Sequence, residues 1–598
     1  MVEMIKLSDL VFKFLKNKGI SCAFMLPGGG AMHLDDSLGK SGIDYYPFLH
    51  EQGAAIAAEA YAQHTNTPGL VVVTSGPGAT NTLTAVVAGW IDSTPMIVIS
   101  GQAKRADLVG DKRVRQIGSQ EVNIIEMVKP ITKYAVQVLD PNRIVKYLNE
   151  AWEAATTGRP GPVWLDIPLD VQATMLEDTT ELVERHDGVE SELSEDKKIK
   201  DAVEKTIHLL ENCRKPLVLA GNGIKLAGAM SQFYEFVRKL GVPVQTTWKT
   251  IDFFDENDSL YVGHPGGMGD RGANYIIQQA DLLISIGSRL DTSITAFNDA
   301  HFAMSAKKII VDIDEYEIAR MNMDKEVALA CDAKVYLEEL LEAYSRNQIK
   351  NDYSGWLSYC KNLRKQYPIV TDEHRNKTES VSPYYFIDRL CDWVTGEDVI
   401  VPESSGGAGE ITYQAWRVKQ GQKMKNAAGL GSMGFGLPYA IGSCLANKKR
   451  RTILINGDGA FQLNIQELET LHRMKLPVKI FVWSNDGYAS IRAMQRKNFE
   501  GRYVGSDFTS GLSIPDMSAV AKAYGFNSFE IRYNKDVDKV LESMLINDDP
   551  MFCTVFVDAN ETVMPRVMAY ANPDGTISTG LLEDMTPIIP KNQQPIPY

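Results

Sequence analysis

Thr452–Asn485 reads TILINGDGAFQLNIQELETLHRMKLPVKIFVWSN. A short apolar run (TILIN) meets Gly457-Asp458-Gly459, and a helical stretch follows over Ile465–Arg473. A second apolar run (VKIFVW) then ends beside Asn485, 27 positions after Asp458. Strand, helix and strand at this spacing make a βαβ unit with parallel strands. The unit places Asp458 and Asn485 at the carboxyl ends of neighbouring strands, where open α/β sheets bind ligands. Gly457 and Gly459 allow the backbone to approach a diphosphate, whose charge the following helix N-terminus favours. Asp458 and Asn485 supply hard oxygen ligands of the kind Mg²⁺ prefers. A strand-to-helix turn with an Asp cap is the plainer reading of GDG alone, and the Asn at this distance argues against it.

The same grammar extends along the chain in both directions. Residues 1–175 alternate helical patterns with apolar runs such as Leu70–Thr74 and Met96–Ser100, and Met1–Gly19 has helical spacing. Residues 195–345 repeat the alternation with Pro216–Ala220, Leu282–Ile286 and Ile309–Ile313. Residues 370–565 add Asp398–Val401 and Met551–Val557 to the unit above, and 566–598 form a tail. The acidic stretch 173–198 reads as a surface linker. The expected fold is α/β: three doubly wound parallel-sheet domains in series. A length of 598 residues fits three or four domains.

Composition narrows the function. The charge sum is 62 − 76 = −14, which disfavours nucleic acid and anionic membrane as partners, since both require a basic surface. No apolar stretch reaches the roughly 18 residues of a membrane span, and the N-terminus lacks a signal core. The seven cysteines are scattered without a CxxC pair, so the expected setting is a reducing cytoplasm without a disulfide framework.

Five segments together resemble the thiamine-diphosphate (ThDP) enzymes of the acetolactate synthase branch. They are the GDG–Asn unit, Gly429–Pro438 (GLGSMGFGLP), Leu49–Ala55 (LHEQGAA), Thr74–Asn81 (TSGPGATN) and Lys129–Lys133 (KPITK). The resemblance covers all but roughly the last 35 residues. It implies that Glu51 hydrogen-bonds N1′ of the aminopyrimidine and drives the 4′-amino group to activate the thiazolium C2. It implies that Met433 holds the cofactor bent and that Gln120 faces the reaction centre. Pro27, Gly28, Thr74, Gly78, Asn81, Gly406, Gly431, Gly457, Gly459 and Tyr488 would line the ThDP site. Asp458, Asn485 and the Gly487 carbonyl would hold Mg²⁺. In this family Glu51 and the diphosphate motif of one site come from different chains, so a homodimer or homotetramer is implied.

In the middle domain the resemblance implies FAD in a structural role. Its residues would be Arg159, Gly221, Gly223, Thr247, Gly267, Gly269, Arg289, Asp291, Asp312 and Asp332. Each Gly-rich turn alone is ordinary α/β grammar; their order along the chain carries the assignment.

The acceptor pocket departs from the family pattern. Ser293 stands where the family's arginine grips the acceptor carboxylate, and Met494 and Ser490 replace a Trp and a Met. Ser119 replaces a Phe, and Gly407–Glu410 (GAGE) replaces QHQM. A charged fork of this kind is worth about 1.5–3 kcal/mol. The expected function is a decarboxylating carboligase that moves a two-carbon acetyl unit from pyruvate to a carbonyl acceptor. The pattern resembles the flavin-containing carboligase of yersiniose biosynthesis, whose acceptor is a nucleotide-linked keto-deoxysugar. Arg492, Arg496, Lys497 and Arg502 offer cations for such a nucleotide, or a solvated helix face. Acetolactate synthesis from two pyruvates, hydrolysis of a cyclic dione, and a non-catalytic ThDP/FAD-binding subunit stay open as alternatives. No His-His pair of the pyruvate decarboxylase kind is present.

Overall fold

The structure, a computed structural model, describes residues 4–178, 193–347 and 351–598. Three parallel sheets follow one another along these residues. In the first, Asp44–Pro47, Cys22–Met25, Gly69–Val73, Met96–Gln102, Pro162–Pro168 and Tyr134–Gln137 lie side by side in that order. In the third, the order is Lys423–Met424, Val399–Pro402, Thr452–Gly457, Val478–Ser484, Met551–Phe556 and Asn527–Ile531. Counted by appearance within each domain, both sheets run 2-1-3-4-6-5. The central sheet runs 2-1-3-4-5 through Val244–Thr246, Pro216–Ala220, Leu282–Ile286, Lys307–Asp312 and Val327–Ala330.

The apolar runs form central strands because helices cover both sheet faces, as parallel sheets require. Along Gly69–Val73, Val71 and Val73 enter one core cluster and Leu70 and Val72 enter the cluster on the opposite face. Every second residue changes side, which is the pleat read directly from LVVV.

Two expectations are corrected. Met1–Gly19 is not helical throughout: Met4–Lys6 is a strand, and the helix begins at Leu7. The proposed linker 173–198 is structured at both ends. Met175–Glu177 pairs antiparallel with Met4–Lys6, and a helix runs over Leu193–Asn212. Its middle, 179–192, lies outside the described residues. No helix among the described residues is long and apolar enough to cross a membrane.

Two buried contacts do much to knit the domains. The first is a helix pair, Glu51–Thr65 of the first domain against Gly436–Ala446 of the third. Alanine-rich EQGAAIAAEAYA and Gly442 let the axes close, and a Cβ at Gly442 would sit 2.2 Å from the Ala57 carbonyl oxygen. The second is a buried ionic knot. Lys249 of the central domain reaches Asp92 of the first at 2.7 Å and also donates to the Asn426 carbonyl of the third. Lys425 of the third domain pairs with Asp252 of the central one at 2.9 Å, with side chains only 3% and 4% exposed.

The helix pair sets a stability prediction. Gly442→Val forces a side chain into the Ala57 backbone and should cost about 1–3 kcal/mol. Gly39→Ala, where an added Cβ meets nothing within 4 Å, should be neutral or stabilising by up to about 1 kcal/mol. Thermal unfolding of the two variants beside the wild type checks both signs.

Candidate functional site

In all three sheets the strand order reverses between the first and third strands of the domain, leaving a crevice at their carboxyl ends. Ligands of open α/β sheets bind at such switch points. The first crevice holds Gly28 and Thr74, where a Cβ on Gly28 would stand 2.5 Å from the Thr74 Cβ. The central crevice holds Gly221 and Gly287, and a Cβ on Gly221 would stand 2.1 Å from the Gly287 oxygen. The third holds Gly406 and Asp458.

The third crevice carries a convergence of oxygens. Gly457 pairs with Trp483 in parallel register, so Asp458 and Asn485 leave adjacent strand ends. Asp458 is 1% exposed. Its Oδ1 accepts from the Gly459 N–H (2.7 Å) and its Oδ2 from the Asn485 N–H (3.0 Å). The Asn485 amide has its oxygen 3.2 Å from Asp458 Oδ1 and 2.7 Å from the Gly487 carbonyl oxygen. Three oxygens facing one another repel unless the amide turns over or a cation lies among them. A carboxylate, an amide oxygen and a carbonyl fit Mg²⁺, with diphosphate and water to complete its shell. Burial pushes the Asp458 carboxyl up to about 6. Tyr488 lies against Gly459, where a Cβ would stand 2.6 Å from its ring.

The loop that presents these oxygens is held from behind by Arg492, which the sequence offers as a cation for an acceptor nucleotide or as part of a solvated helix face. Asp486 and Gly487 adopt φ of 62° and 117°. Arg492, 4% exposed, donates to the Asp486 carbonyl (2.8 Å), the Ser506 carbonyl (3.1 Å) and the Asn485 carbonyl. It is thus a brace within the protein. Arg496 and Lys497 are also engaged, with Tyr503 and Asn560 and with the Ala569 carbonyl.

The first crevice carries the Glu51 group. Glu51 opens the helix Glu51–Thr65 and is 8% exposed. Asn81 Nδ2 donates to Glu51 Oε2 at 2.9 Å, and a Cβ on Gly78 would lie 3.6 Å from Glu51 Oε1. Gln120 is exposed with φ of 58°, and its carbonyl lies over Gly76. Pro27 is exposed. Met433 is half-buried between Gly431 and Gly434, which have φ of 65° and 86°. Among the described residues no hydrogen bond joins the Glu51 group to Asp458, Asn485 or Gly487; the neighbouring Gln52 instead accepts from Asn464 at 3.0 Å.

The central crevice opens into a cavity of about 400 Å³ lined by parts of all three domains. Arg159, Gly223, Thr247, Arg289, Asp291, Asp312 and Asp332 line it. Gly221, Gly267 and Gly269 are not among its lining residues. Gly269 instead closes a turn in which its Cβ would stand 2.5 Å from the His264 oxygen. Gly267 donates to the Ser293 carbonyl at 2.8 Å. Arg159 pairs with Asp314 at 2.7 Å and Glu317 at 3.1 Å. Burial raises the Asp312 carboxyl.

Within one chain the five acceptor positions are dispersed. Ser119 is exposed on the first domain, and Ser293 lines the central cavity. Glu410 and Ser490 flank Gly406, where a Cβ would stand 3.4 Å from Ser490 Oγ and whose carbonyl accepts from the Glu410 N–H. Met494, 54% exposed, lies one helical turn beyond Ser490.

The cation site sets a prediction. Asp458→Asn should abolish tight divalent-cation binding, and Arg492→Met should weaken it about 10–100-fold by loosening the loop behind the ligands. Asp458 takes up a proton as pH falls through about 6, so affinity should drop below that pH as protons compete for the carboxylate. Mn²⁺ titration followed by electron paramagnetic resonance reads all three effects without turnover.

Family models agree with this layout. The N-terminal TPP binding domain of thiamine pyrophosphate enzymes matches residues 5–127, the central domain 203–340, and the C-terminal TPP binding domain 405–555. The chain is similar to acetolactate synthase 1, chloroplastic, of Oryza sativa subsp. japonica, at 32% identity over 94% of this chain and 86% of that one. It is similar to acetolactate synthase 1, chloroplastic, of Zea mays, at 31% over 94% and 86%. It is also similar to the acetolactate synthase large subunit of Lactococcus lactis subsp. lactis, at 31% over 95% and 96%. With three TPP-enzyme domains in series and this similarity along nearly its whole length, the chain belongs to the thiamine-diphosphate-dependent enzymes of the acetolactate synthase family.

Proposed function

We propose that the chain is a decarboxylating carboligase that moves a two-carbon acetyl unit from pyruvate to a carbonyl acceptor other than a second pyruvate, of which a nucleotide-linked keto-deoxysugar is the leading example. The observation that carries the carboligase reading is the joint presence of Glu51 with its Asn81 partner and of the Asp458–Asn485–Gly487 oxygens. ThDP, when bound, supplies a carbon nucleophile and the electron sink for loss of CO₂. The chain supplies the rest. Glu51 is a buried carboxyl whose Oε1 accepts no hydrogen bond among the described residues, leaving it available to the aminopyrimidine N1′ and its proton. Asp458, Asn485 and Gly487 would hold Mg²⁺ against the diphosphate, with Gly457 and Gly459 leaving room for it. Met433, between two glycines of positive φ, would support the cofactor from below.

The acceptor reading rests on Ser293, which has no charged fork to offer a keto acid, and on the small residues Gly407 and Ser490. The similarity to acetolactate synthases favours joining two pyruvates as a second reading. FAD is proposed for the central cavity: it opens at the switch point of a 2-1-3-4-5 sheet, an arrangement that houses flavin in flavodoxin-like folds, and Gly223 and Gly287 clear its floor. Because the family resemblance draws the Glu51 and diphosphate halves of one site from different chains, and no hydrogen bond joins them among the described residues, we also propose a homodimer or homotetramer with sites between subunits. A reducing, cytoplasmic setting agrees with seven free cysteines.

Incubation with ThDP, Mg²⁺, FAD and pyruvate, with and without a nucleotide-linked 4-keto-deoxysugar, tests the reading by mass spectrometry. The expected result is CO₂ release coupled to a sugar nucleotide heavier by an acetyl unit. Strong acetolactate formation from pyruvate alone would establish the second reading instead. Glu51→Gln should lower turnover about 10²–10⁴-fold while the protein still purifies with a yellow flavin band.

A further inference from the structure

The tail carries a cation, Arg566, to a place held between the third and the central domain. After the last strand of the third sheet the chain is fixed to the helix Pro383–Trp393 and the helix Gly407–Ala415. Met564 exchanges hydrogen bonds with Tyr384 Oη at 2.8 and 2.7 Å, and the Pro565 carbonyl accepts from Gln414 at 2.8 Å. Arg566–Val567 then pairs antiparallel with Met585–Thr586. The Val567 N–H donates to the Gly267 carbonyl at 2.7 Å, and Gly267 in turn donates to Ser293. From the other side Arg271 donates to the carbonyls of Met585 (3.0 Å) and Pro587 (2.8 Å), and Asn274 to that of Leu582 (2.9 Å). The backbone at Arg566 is therefore pinned by both the third and the central domain.

Its side chain is not. Among the described residues the Arg566 guanidinium makes no ion pair and no hydrogen bond, and its Nε is buried without a partner. Leaving a buried donor unmet is costly, so a firmly mounted guanidinium whose buried Nε has no partner points to a ligand. Arg566 acts on Glu410, whose carboxyl burial raises and whose charged form the guanidinium favours. Glu410 lies on the helix whose N-terminus, at Gly406, faces Ser490. Val567, the residue after Arg566, is thus linked through Gly267 to the Ser293 main chain by two hydrogen bonds.

We propose that Arg566 is the specificity-determining residue for the acceptor: its guanidinium receives an anionic group of that acceptor, a carboxylate or a phosphate, from the tail side of the pocket. A planar fork suits both anions bidentately. This inference rests on the carboligase reading above.

The test uses the full chain loaded with ThDP, Mg²⁺ and FAD, with pyruvate as donor. The acceptors are 2-oxobutanoate (a carboxylate), a nucleotide-diphosphate-linked 4-keto-deoxysugar (a phosphate) and propanal (neutral). In Arg566→Gln the ratio of kcat/KM for the anionic acceptor over propanal should fall about 10–100-fold, through KM, with Arg566→Lys in between. Whichever anionic acceptor shows the fall identifies the anion. An unchanged ratio for both would overturn the proposal, including when all three rates drop together as from misfolding. Calorimetric binding of the sugar nucleotide and of 2-oxobutanoate without pyruvate separates the two readings. If wild type releases no CO₂ with any acceptor, the carboligase reading fails; binding of either anion weakened about tenfold in Arg566→Gln still supports Arg566, and equal binding of both rejects it.

Discussion

A carboxylate buried at the end of a parallel strand is the constraint around which the site is arranged. Asp458 is nearly devoid of solvent contact, and the oxygens of Asn485 and Gly487 face it. Unpaired, such a group resists ionisation; with a divalent cation between the oxygens it becomes the firmest anchor in the crevice. Holding the oxygens there requires a loop with two left-handed residues, Asp486 and Gly487. Arg492 ties that loop down through three backbone carbonyls. The brace spends its charge on main-chain dipoles, which is why it cannot also serve a substrate.

The three crevices follow from one topological rule. Each sheet begins by adding its second strand on one side and its third on the other, so the first and third strand ends part and leave room. Glycines at Gly28, Gly221 and Gly406 keep that room clear. The first and third domains share one strand order, and their Ala-rich and Gly442-bearing helices pack closely. The central domain, with its cavity of about 400 Å³, is bound to both by the buried Lys249–Asp92 and Lys425–Asp252 pairs. Breaking a buried pair costs about 3–5 kcal/mol, so these contacts fix how the crevices face one another.

Much of this was legible before any coordinates. Buried strands such as LLISI and PLVLA read correctly because continuous apolar runs have few other uses in a chain of this composition. Asp458 and Asn485 were legible because their spacing encodes a strand, a helix and a strand. Edge strands such as Tyr134–Gln137 and Asn527–Ile531 were not named, since half-exposed strands mix polar and apolar residues. Met175–Glu177 was hidden in an acidic stretch because its pairing with Met4–Lys6 spans the whole first domain. The roles of Arg492 and Arg566 carry no local signal: one reads as a cation for a nucleotide or a solvated helix face, and the other as part of a tail. Only their partners, brought from distant positions, distinguish them.

The central claim is that the Glu51 group and the Asp458 group are two halves of one catalytic site contributed by different subunits. Mixing two variants, Glu51→Gln and Asp458→Ala, after dissociation and reassembly tests it directly through pyruvate-dependent CO₂ release. Each variant alone should be inactive. One site in each hybrid dimer then receives both intact halves, so an equimolar mixture, about half of it hybrid, should regain activity at up to about a quarter of the wild-type sites. No recovery in verified hybrids would contradict the account and place both groups of each site within a single chain.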